Sequence, residues 1–294
     1  MTARSLTRVR ALLLGLGGIV LVGVAWDLYA SFGPDAGVQL GGVLVLPRAS
    51  ATAMPSVGSM FGRLLDPVAS GPGSPLLLTA VIQASLVTLG VAALGWVVGI
   101  VVGLALALLM QRFRTAESAL LPWVILSQTV PLIALAPLVA GLISTARVGG
   151  QAPPLWVSVA IIASYLSFFP VSVGALRGLE SPERAHVDLL RAYAVGWWPT
   201  IVRLRFPASV PYLLSSLRLA AANSVVGAVV AEVAIGMDGG IGRMMLSYAQ
   251  SSSGDPAKAF GPIFGAIAVG LVSAGVVALL GAALGRYRRA EATA

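Results

Sequence analysis

Residues 177–211 read RGLESPERAHVDLLRAYAVGWWPTIVRLRFPASVP, a charged and aromatic stretch in a chain that is otherwise mostly apolar. Apolar runs flank it at about 155–176 and 210–235, and each has the roughly 20 residues that a membrane-spanning helix needs. A loop with this many charges, placed between two spans, must lie in water. The stretch therefore predicts a helical membrane protein with a folded element outside the lipid.

The composition agrees with this class. The chain has 294 residues, of which 57% are hydrophobic and 10% are charged, and its mean hydropathy is +0.92. Lipid offers no hydrogen-bond partners to the backbone, and the apolar runs are continuous rather than alternating, so helices are favoured over a barrel. The chain has no cysteine and one histidine, His186, so we expect no metal site and no cofactor bound by this chain.

Six apolar runs predict six transmembrane helices. Their approximate bounds are 11–30, 80–110, 119–143, 155–176, 210–235 and 260–285. The first run is interpreted as a retained anchor rather than a cleaved signal peptide, because no clear small-residue cleavage pattern follows it. The second is too long for one perpendicular helix, so either its residues before Gln83 form a lead-in segment or the helix is tilted.

The predicted organisation follows from these spans. It comprises a tail (1–10), the first anchor (11–30), a Gly-, Pro- and Ser-rich outer loop (31–79), a core of five helices (80–285) with the charged loop at 177–209, and a second tail (286–294). The glycine row Gly95, Gly99 and Gly103 lets helices approach closely, as does the pair Gly261 and Gly265, which is typical of a compact membrane bundle.

The basic residues predict the orientation. With the amino terminus inside, the cytoplasmic side would hold Arg4, Arg8, Arg10, Arg112, Arg114, Arg177, Arg184, Arg191, Arg203, Arg205, Arg286, Arg288 and Arg289. The outer side would hold only Arg48, Arg63, Arg147, Arg243 and Lys258. The positive-inside rule therefore predicts that both termini and the 177–209 loop are cytoplasmic. The same arginines account for the net charge of +8, so nucleic acid is not expected as a partner.

Within the charged loop, the sequence predicts two short helices. Ser181 is a favourable N-cap and Pro182 fits the first helical position, so a helix is expected from about Pro182 to Tyr193. Gly196 would end it, and a second helix starting near Trp198 would have to stop before Pro207.

The two short helices carry an apolar side larger than a solvated loop needs. Its members are Leu189, Leu190, Tyr193, Trp197, Trp198 and Ile201. Such side chains either anchor in the groove of a partner or pack against the lipid interface, where Trp is also common. The spacing does not distinguish these two interpretations.

The stretch DLLRAYAVGWWPTIVRLRFPASVPYLLSSLRLAAA (188–222) resembles the cytoplasmic signature loop, often called the EAA loop, of binding-protein-dependent ABC importer permeases. It is most similar to the branch for nitrate, sulfonates, taurine, and pyrimidine or flavin-type compounds. QTVPLIALAPL (128–138), SFFP (167–170), GL (178–179), the Glu232 region and GGIG (239–242) also resemble that branch. The resemblance covers about 80–285 and implies a type I importer permease fold.

In that family the loop forms a coupling helix that sits in a cleft of the ATP-binding subunit. Asp188 matches the leading acid of the motif, Arg191 its basic residue and Pro207 its closing proline. The residues that the resemblance assigns to this contact are Asp188, Arg191, Tyr193, Ala194, Gly196, Trp197, Trp198 and Pro207.

The motif departs from the family pattern at two places. The usual paired alanines are Leu189 and Leu190, and the usual glycine falls at Ala194, while a glycine stands at Gly196. Either the turn needs a left-handed residue at 194, where alanine costs about 1 kcal/mol, or the turn has slipped by two residues.

The energy source must lie outside this chain. It has no G-x-x-x-x-G-K-[ST] phosphate loop, and its one lysine is Lys258, so we expect a translocation subunit rather than an enzyme. The resemblance implies partner ATPase subunits that bind ATP and Mg, an extracytoplasmic solute-binding protein, and a second copy of the chain or a paralogous permease. It also implies a multi-pass protein in the lipid bilayer of a bacterial plasma (inner) membrane.

Polar residues inside the spans are candidates for the translocation pathway. They are Gln128, Thr129, Asn223, Ser224 and Glu232. Asp27 lies near the end of the first predicted span, and Glu232 is the only acid inside the other five. Acids within spans usually face a cavity or a partner. It could instead pair with a loop arginine such as Arg243 or cap the backbone, and polar residues also join helices.

The sequence therefore predicts an importer subunit for a small polar or anionic solute of the nitrate, sulfonate, taurine, pyrimidine or flavin type. No arginine lies at mid-membrane depth, so selectivity would rest with the binding protein. The alternative is a secondary transporter driven by an ion gradient, which would favour several intramembrane carboxylates and inverted repeats. A second alternative is a membrane scaffold that transports nothing.

Overall fold

The computed structural model describes residues 3–147 and 149–283, which form helices and one small antiparallel ribbon. The helices are α1 (Ala3–Phe32), α2 (Val57–Arg63), α3 (Leu77–Arg112), α4 (Arg114–Leu126), α5 (Leu132–Thr145), α6 (Leu155–Glu180), α7 (Arg184–Ala192), α8 (Trp197–Thr200), α9 (Phe206–Ile235), α10 (Ile241–Gln250) and α11 (Phe260–Ala283). The strands are β1 (Val38–Leu40) and β2 (Val43–Leu46). The helical fold class predicted from the sequence is confirmed. The predicted tail 286–294 lies outside the described residues.

Within residues 3–147 and 149–283, five helical stretches are long and apolar enough to cross a membrane. They are Leu13–Phe32, Leu77–Arg112, Leu155–Glu180, Trp197–Ile235 and Pro256–Ala283. Helix α3 runs unbroken from Leu77 for 36 residues, so the segment before Gln83 is part of the same helix.

The third predicted span, 119–143, is not one straight helix. Its two halves, Arg114–Thr129 and Leu132–Thr145, are bent by 105° at a short break. Pro131 has no N–H and disfavours a helical conformation at the residue before it, so Val130 is extended (φ −71°, ψ 124°). In the part of the chain that the structure describes, a sixth span would consist of this bent pair.

Residues up to Ile82, together with Met245–Phe264, form one compact unit. The predicted outer loop 31–79 contributes the ribbon β1–β2, helix α2 and a bridge between Pro67 and Leu76. Arg63 Nε lies 2.6 Å from Asp255 Oδ2, and this ion pair joins α2 to the segment before α11. The loop is more ordered than its Gly, Pro and Ser content indicates.

Gln83–Met244 forms the second unit with the rest of α11. Its core lies where α3, α5, α6 and α9 meet. Three glycines of α3, spaced four residues apart, face three residues of α6 with the same spacing. The facing pairs are Gly95 and Ala163, Gly99 and Ser167, and Gly103 and Val171. A Cβ added at Gly99 would lie 2.5 Å from Ser167 Cβ, so the predicted close approach of backbones is confirmed at this row.

Helices α6 and α9 pack along each other towards the charged loop. Gly174 faces Ser216 and Gly178 faces Ser209, so small residues again allow close contact. Beside them, an apolar cluster joins the end of α3 to α6 and α9. Its buried members are Ala107, Met110, Ala175, Leu176, Leu179, Ile201 and Leu213. The charged loop packs against the membrane helices through this cluster, to which Ile201 belongs.

Candidate functional site: the docking element and the Glu232 cluster

The charged loop forms what we call the docking element, residues 184–205, which comprises α7, a turn, α8 and the helical turn Ile201–Arg205. Helix α7 begins later than predicted. Ser181 lies at the end of α6, and its Oγ donates to the Gly178 carbonyl at 2.8 Å, so it does not cap α7. Glu183 occupies the N-cap position instead and α7 starts at Arg184. The predicted cap was wrong because α6 extends to Glu180 and engages the serine.

The turn after α7 is centred on Ala194. Its φ is 53°, and among the described residues it is the only non-glycine with a positive φ. The Ala194 N–H donates to the Arg191 carbonyl (2.8 Å) and the Val195 N–H donates to the Leu190 carbonyl (2.9 Å). This pair of bonds is a Schellman helix end, which requires a left-handed residue at position 194. The turn has therefore not slipped, and Gly196, with φ −66°, begins α8 instead.

The sequence predicts that the helix starting near Trp198 stops before Pro207, but the helical chain continues past this proline. A π-helical turn at Ile201–Arg205 joins α8 to α9, and the Phe206 N–H donates to the Ile201 carbonyl five residues earlier. The wider π turn accommodates the ring of Pro207, which in a regular α-helix would clash with the carbonyl four residues earlier. The predicted stop was therefore wrong, and Trp197–Ile235 is one continuous helical stretch.

One side of the docking element is fixed to the membrane helices. Trp197 Nε1 donates to Gln111 Oε1 at 2.8 Å, and the Arg112 guanidinium lies 5.4 Å from the Trp197 ring centroid. At the other end, Arg205 Nη1 donates to the Leu179 carbonyl at 2.7 Å. These bonds attach the docking element to the last turns of α3 and α6.

The other side of the docking element is open. Leu189, Tyr193 and Trp198 are 55%, 75% and 59% exposed. Asp188 and Arg191 form an ion pair (3.3 Å) in which both side chains are solvated, and such a pair contributes little stability. The adjacent tryptophans thus lie in different environments, since Trp197 is an anchor and Trp198 is free to contact another surface.

The second polar feature is the Glu232 cluster, which consists of Glu232, Thr88, Ile241 and Gly242. The Glu232 side chain is fully buried. Thr88 Oγ1 donates to the carboxylate (2.7 Å to Oε1, 3.0 Å to Oε2), and the Gly242 N–H donates to Oε2 at 2.8 Å. The Ile241 N–H donates to Thr88 Oγ1 at 2.8 Å. The cluster therefore ties α3 and α9 to the first turn of α10.

Of the roles considered for Glu232, the structure shows the one in which its carboxylate accepts from a backbone N–H, that of Gly242. Arg243 Nε lies 3.6 Å from Asp238 Oδ1, so this arginine pairs with the loop aspartate. Thr88 was not predicted, because a single hydroxyl in an apolar helix gives no sign of its partner. Glycine is needed around the carboxylate, since a Cβ at Gly240 would lie 2.5 Å from Glu232 Oε1.

The other predicted pathway residues fall into two groups. Gln128 and Thr129 lie exposed in the break between α4 and α5, where Tyr165 of α6 donates to the Ser127 carbonyl. Asn223 Nδ2 donates to the Leu166 carbonyl (3.3 Å), so this residue contacts the same turn of α6 as the break.

Ser224 faces α3 instead, and its Oγ donates to the Ala92 carbonyl at 2.5 Å, one helical turn from Thr88. The structure therefore brings Gln128, Thr129 and Asn223 to one region and places Ser224 and Glu232 in another. Among the described residues, no group of three or more His, Asp or Glu side chains is placed to hold a metal ion. The buried polar side chains named here all join one helix to another, so the arrangement can align helices and transmit force.

A multi-pass helical membrane protein with a docking element on one connecting loop has the architecture of an importer permease. The chain belongs to the family described as binding-protein-dependent transport system inner membrane component, which matches residues 99–289, more than half of its length. The resemblance noted in the signature loop is confirmed by this match.

Individual relatives agree with this assignment. The chain is 33% identical over 164 residues to a probable ABC transporter permease protein of Haemophilus influenzae, covering 56% of this chain and 63% of the relative. It is 33% identical over 181 residues to a formylaminopyrimidine transport permease protein of Halalkalibacterium halodurans (60% and 66%). It is 28% identical over 202 residues to a putative aliphatic sulfonates transport permease protein of Bacillus subtilis (67% and 67%). The match thus spans less than two thirds of the length of the first two relatives.

Proposed function

We propose that this chain is the translocating subunit of an ATP-driven importer and that the docking element receives the mechanical work. The observation that carries the proposal is the two-sided structure of this element. Trp197 and Arg205 fix it to α3 and α6, while Leu189, Tyr193 and Trp198 remain exposed. Exposed aromatic side chains beside a helix break are typical of anchors that enter a groove of a partner protein.

A force applied at the open side has a direct route into the membrane. Helix α8 continues through the π turn into α9, which packs along α6 over most of its length. A rigid connection of this kind moves the spans together rather than bending between them. Rigid-body movement of helices is one way in which a transporter alternates between two openings.

The energy comes from separate subunits in this proposal. The sequence has no phosphate-binding loop, so ATP and Mg would be bound by two partner ATPases that contact Asp188, Arg191, Tyr193 and Trp198. A second copy of the chain, or a paralogous permease, would complete the translocation pathway, and an extracytoplasmic binding protein would deliver the solute. The chain itself would not be an enzyme.

The orientation follows from charge. The docking element and both termini would be cytoplasmic in a bacterial plasma membrane, because most arginines lie on that side. In this orientation the docking element would face the compartment that supplies ATP.

The solute would be a small polar or anionic compound. Relatives carry the names of permeases for formylaminopyrimidine and for aliphatic sulfonates, so a pyrimidine-type compound or a sulfonate is the first choice to test, ahead of nitrate, taurine and flavins. Gln128, Thr129 and Asn223 are the candidates for contact with the solute. Ser224 and Glu232 would not contact the solute but would hold α9 against α3, because both are buried and bond to α3.

The test is uptake by proteoliposomes that contain the chain with its ATPases and binding protein. We expect uptake to require ATP on the side of the docking element and to persist when ion gradients are collapsed. Trp198→Ala should abolish stimulation of ATP hydrolysis by the loaded binding protein. Trp123→Ala, which removes another exposed tryptophan on α4, should leave it unchanged.

Two outcomes would overturn the proposal. Uptake that continues without ATP and follows an imposed ion gradient would identify a secondary transporter. Full coupling in Trp198→Ala and also in Leu189→Ala would show that the docking element does not receive the work.

A further inference from the structure

The ribbon formed by β1 and β2 has an apolar surface that the proposed function does not use. Its residues 36–47 contain no charged side chain, although Asp35 precedes it and Arg48 follows it. In β2, Val43 and Val45 are 66% and 54% exposed, and Leu44 and Leu46 are 50% and 42% exposed. Apart from Gln39 in β1, the side chains of the ribbon are thus apolar.

Both faces of the ribbon share this property. Successive side chains of a strand point to opposite faces, so Val43 and Val45 share one face while Leu44 and Leu46 share the other. A solvated ribbon usually alternates between apolar and polar residues. In β2, which reads VLVL, neither face is polar, so both faces need apolar surroundings.

The base of the ribbon lies at a defined depth on α1. Tyr29 Oη donates to the carbonyl of Pro47, directly after β2, at 2.7 Å. The segment before β1 is bonded to the segment after β2, because the Ala49 N–H donates to the Pro34 carbonyl at 3.1 Å. Tyr29 lies in the last turn of the candidate span Leu13–Phe32.

Aromatic residues at this end of α1 indicate the boundary between water and lipid. Trp and Tyr are enriched at both membrane interfaces, and α1 carries Trp26 and Tyr29 near its end. Trp26 Nε1 donates to the Pro55 carbonyl (2.9 Å) and Asp27 Oδ1 accepts from the Val57 N–H (2.8 Å). Three bonds therefore fix the segment around the ribbon to the last two turns of α1.

We propose that the ribbon, residues 37–47, lies in the interfacial layer of the membrane leaflet at the α1 carboxyl end and contacts lipid on both faces. Lipid fits better than a protein partner because Gln39 is the one polar side chain between Gly37 and Pro47, whereas protein interfaces have a polar rim. The outer edges of β1 and β2 present unpaired backbone groups, which water can satisfy at the interface but not in the hydrocarbon core. The apolar side chains thus keep the ribbon out of bulk water, and the unpaired backbone groups keep it out of the hydrocarbon core.

The proposal gives the ribbon a role as a membrane contact that holds the depth of α1 and of the loop that follows it. This role is independent of what the protein transports and of its ATPase. It is also independent of the docking element, which lies in the other compact unit.

The absence of cysteine in the chain makes a direct test possible. Leu44→Cys and Val45→Cys place one thiol on each face of the ribbon, and Ser70→Cys places a matched thiol in an exposed turn of the same loop. Each full-length variant is labelled with an environment-sensitive fluorophore. It is then reconstituted in vesicles of phosphatidylethanolamine and phosphatidylglycerol, with a nitroxide either near the headgroup or at the end of the acyl chain.

We expect blue-shifted emission from probes at both 44 and 45, and stronger quenching by the shallow nitroxide than by the deep one. The Ser70 probe should be quenched by aqueous iodide only. Iodide quenching at 44 and 45 equal to that at 70 would overturn the proposal, since the ribbon would then be solvated. Blue-shifted emission that lipid nitroxides do not quench, on one face or both, would also overturn it and would indicate cover by protein.

Discussion

Two helix ends in this protein use the same left-handed conformation with different residues. Helix α7 ends at Ala194, with φ 53°, on the exposed docking element, whereas α9 ends at Gly236, with φ 70°, beside the buried Glu232 cluster. Alanine in this conformation costs about 1 kcal/mol more than glycine. The strained residue occurs on the exposed docking element, and glycine occurs at the half-buried end of α9, where a Cβ would face Arg243. The protein thus tolerates strain at the proposed contact with a partner and avoids it at the connection from α9 to α10.

The largest effect is expected from removing the carboxylate of the buried turn. Glu232→Ala leaves the Gly242 N–H and the Thr88 hydroxyl without their acceptor and opens a cavity, so the free energy of unfolding should fall by about 3 kcal/mol. Glu232→Gln keeps an acceptor and should lose about 1 kcal/mol. Thermal unfolding in detergent measures both. The control is Asp238→Asn in the same connection, whose carboxylate is exposed; an equally large loss in this control would show that charge alone matters.

The next effect concerns the space around the carboxylate. Gly240→Ala forces a methyl group against Glu232 and should destabilise the protein by about 2 kcal/mol. In the background of Glu232→Ala the same change should cost much less, because the methyl group then enters the vacated space. A double-mutant cycle on unfolding free energies measures this coupling, and strictly additive effects would contradict the proposed packing.

At the docking element, the two tryptophans should respond differently. Trp197→Ala removes the bond to Gln111 and the contact with Arg112, so stability should fall by about 1–2 kcal/mol and coupling to ATP hydrolysis should fall with it. Trp198→Ala should change coupling without changing the unfolding temperature by more than a few degrees. Equal losses of stability in the two variants would remove the distinction between anchor and contact.

The smallest expected effect is a gain in stability. Ala194→Gly makes the exposed turn resemble the buried one and should raise the stability of the docking element by about 1 kcal/mol. Hydrogen exchange of the Val195 amide, which bonds to the Leu190 carbonyl, reports this locally. Gly236→Ala is the reciprocal change and should lower stability by a similar amount. A loss in Ala194→Gly would show that the turn is not strained.

The sequence predicted the spans and the docking element because both depend on local patterns. Apolar runs of sufficient length become helices in lipid, and charges between them remain in water. The motif also indicated that the turn lies at Ala194 or Gly196, although it left two turn geometries open. The hydrogen bonds of the Ala194 and Val195 N–H groups show that the turn is at Ala194.

The errors arose where a local signal was overridden by a neighbouring element. Ser181 has the features of an N-cap, yet its hydroxyl bonds to Gly178 of the preceding helix. A proline such as Pro207 often ends a helix, yet here the π turn before it lets the helix continue. The run 119–143 was predicted to be one span, whereas the chain turns by 105° at Pro131.

The pairing of Thr88 with Glu232 could not be predicted at all. The two residues are 144 positions apart, and no spacing rule relates them. Glu232 was recognised as exceptional because it is an acid in a span, but its burial against glycines depends on how α3, α9 and α10 pack. The roles assigned to the site residues remain predictions for the experiments above.

The length of α3 has a consequence for the bilayer itself. Its 36 residues extend for about 54 Å, and even at a steep tilt of about 40° they cover about 41 Å, more than the ~30 Å hydrocarbon layer. Some turns of α3 must therefore stand beyond the hydrocarbon, and its carboxyl end carries Gln111, the anchor of the docking element. A helix longer than the hydrocarbon layer can adapt to a change in lipid thickness by tilting. We therefore expect membranes of different thickness to leave the bond between Gln111 and Trp197 in place.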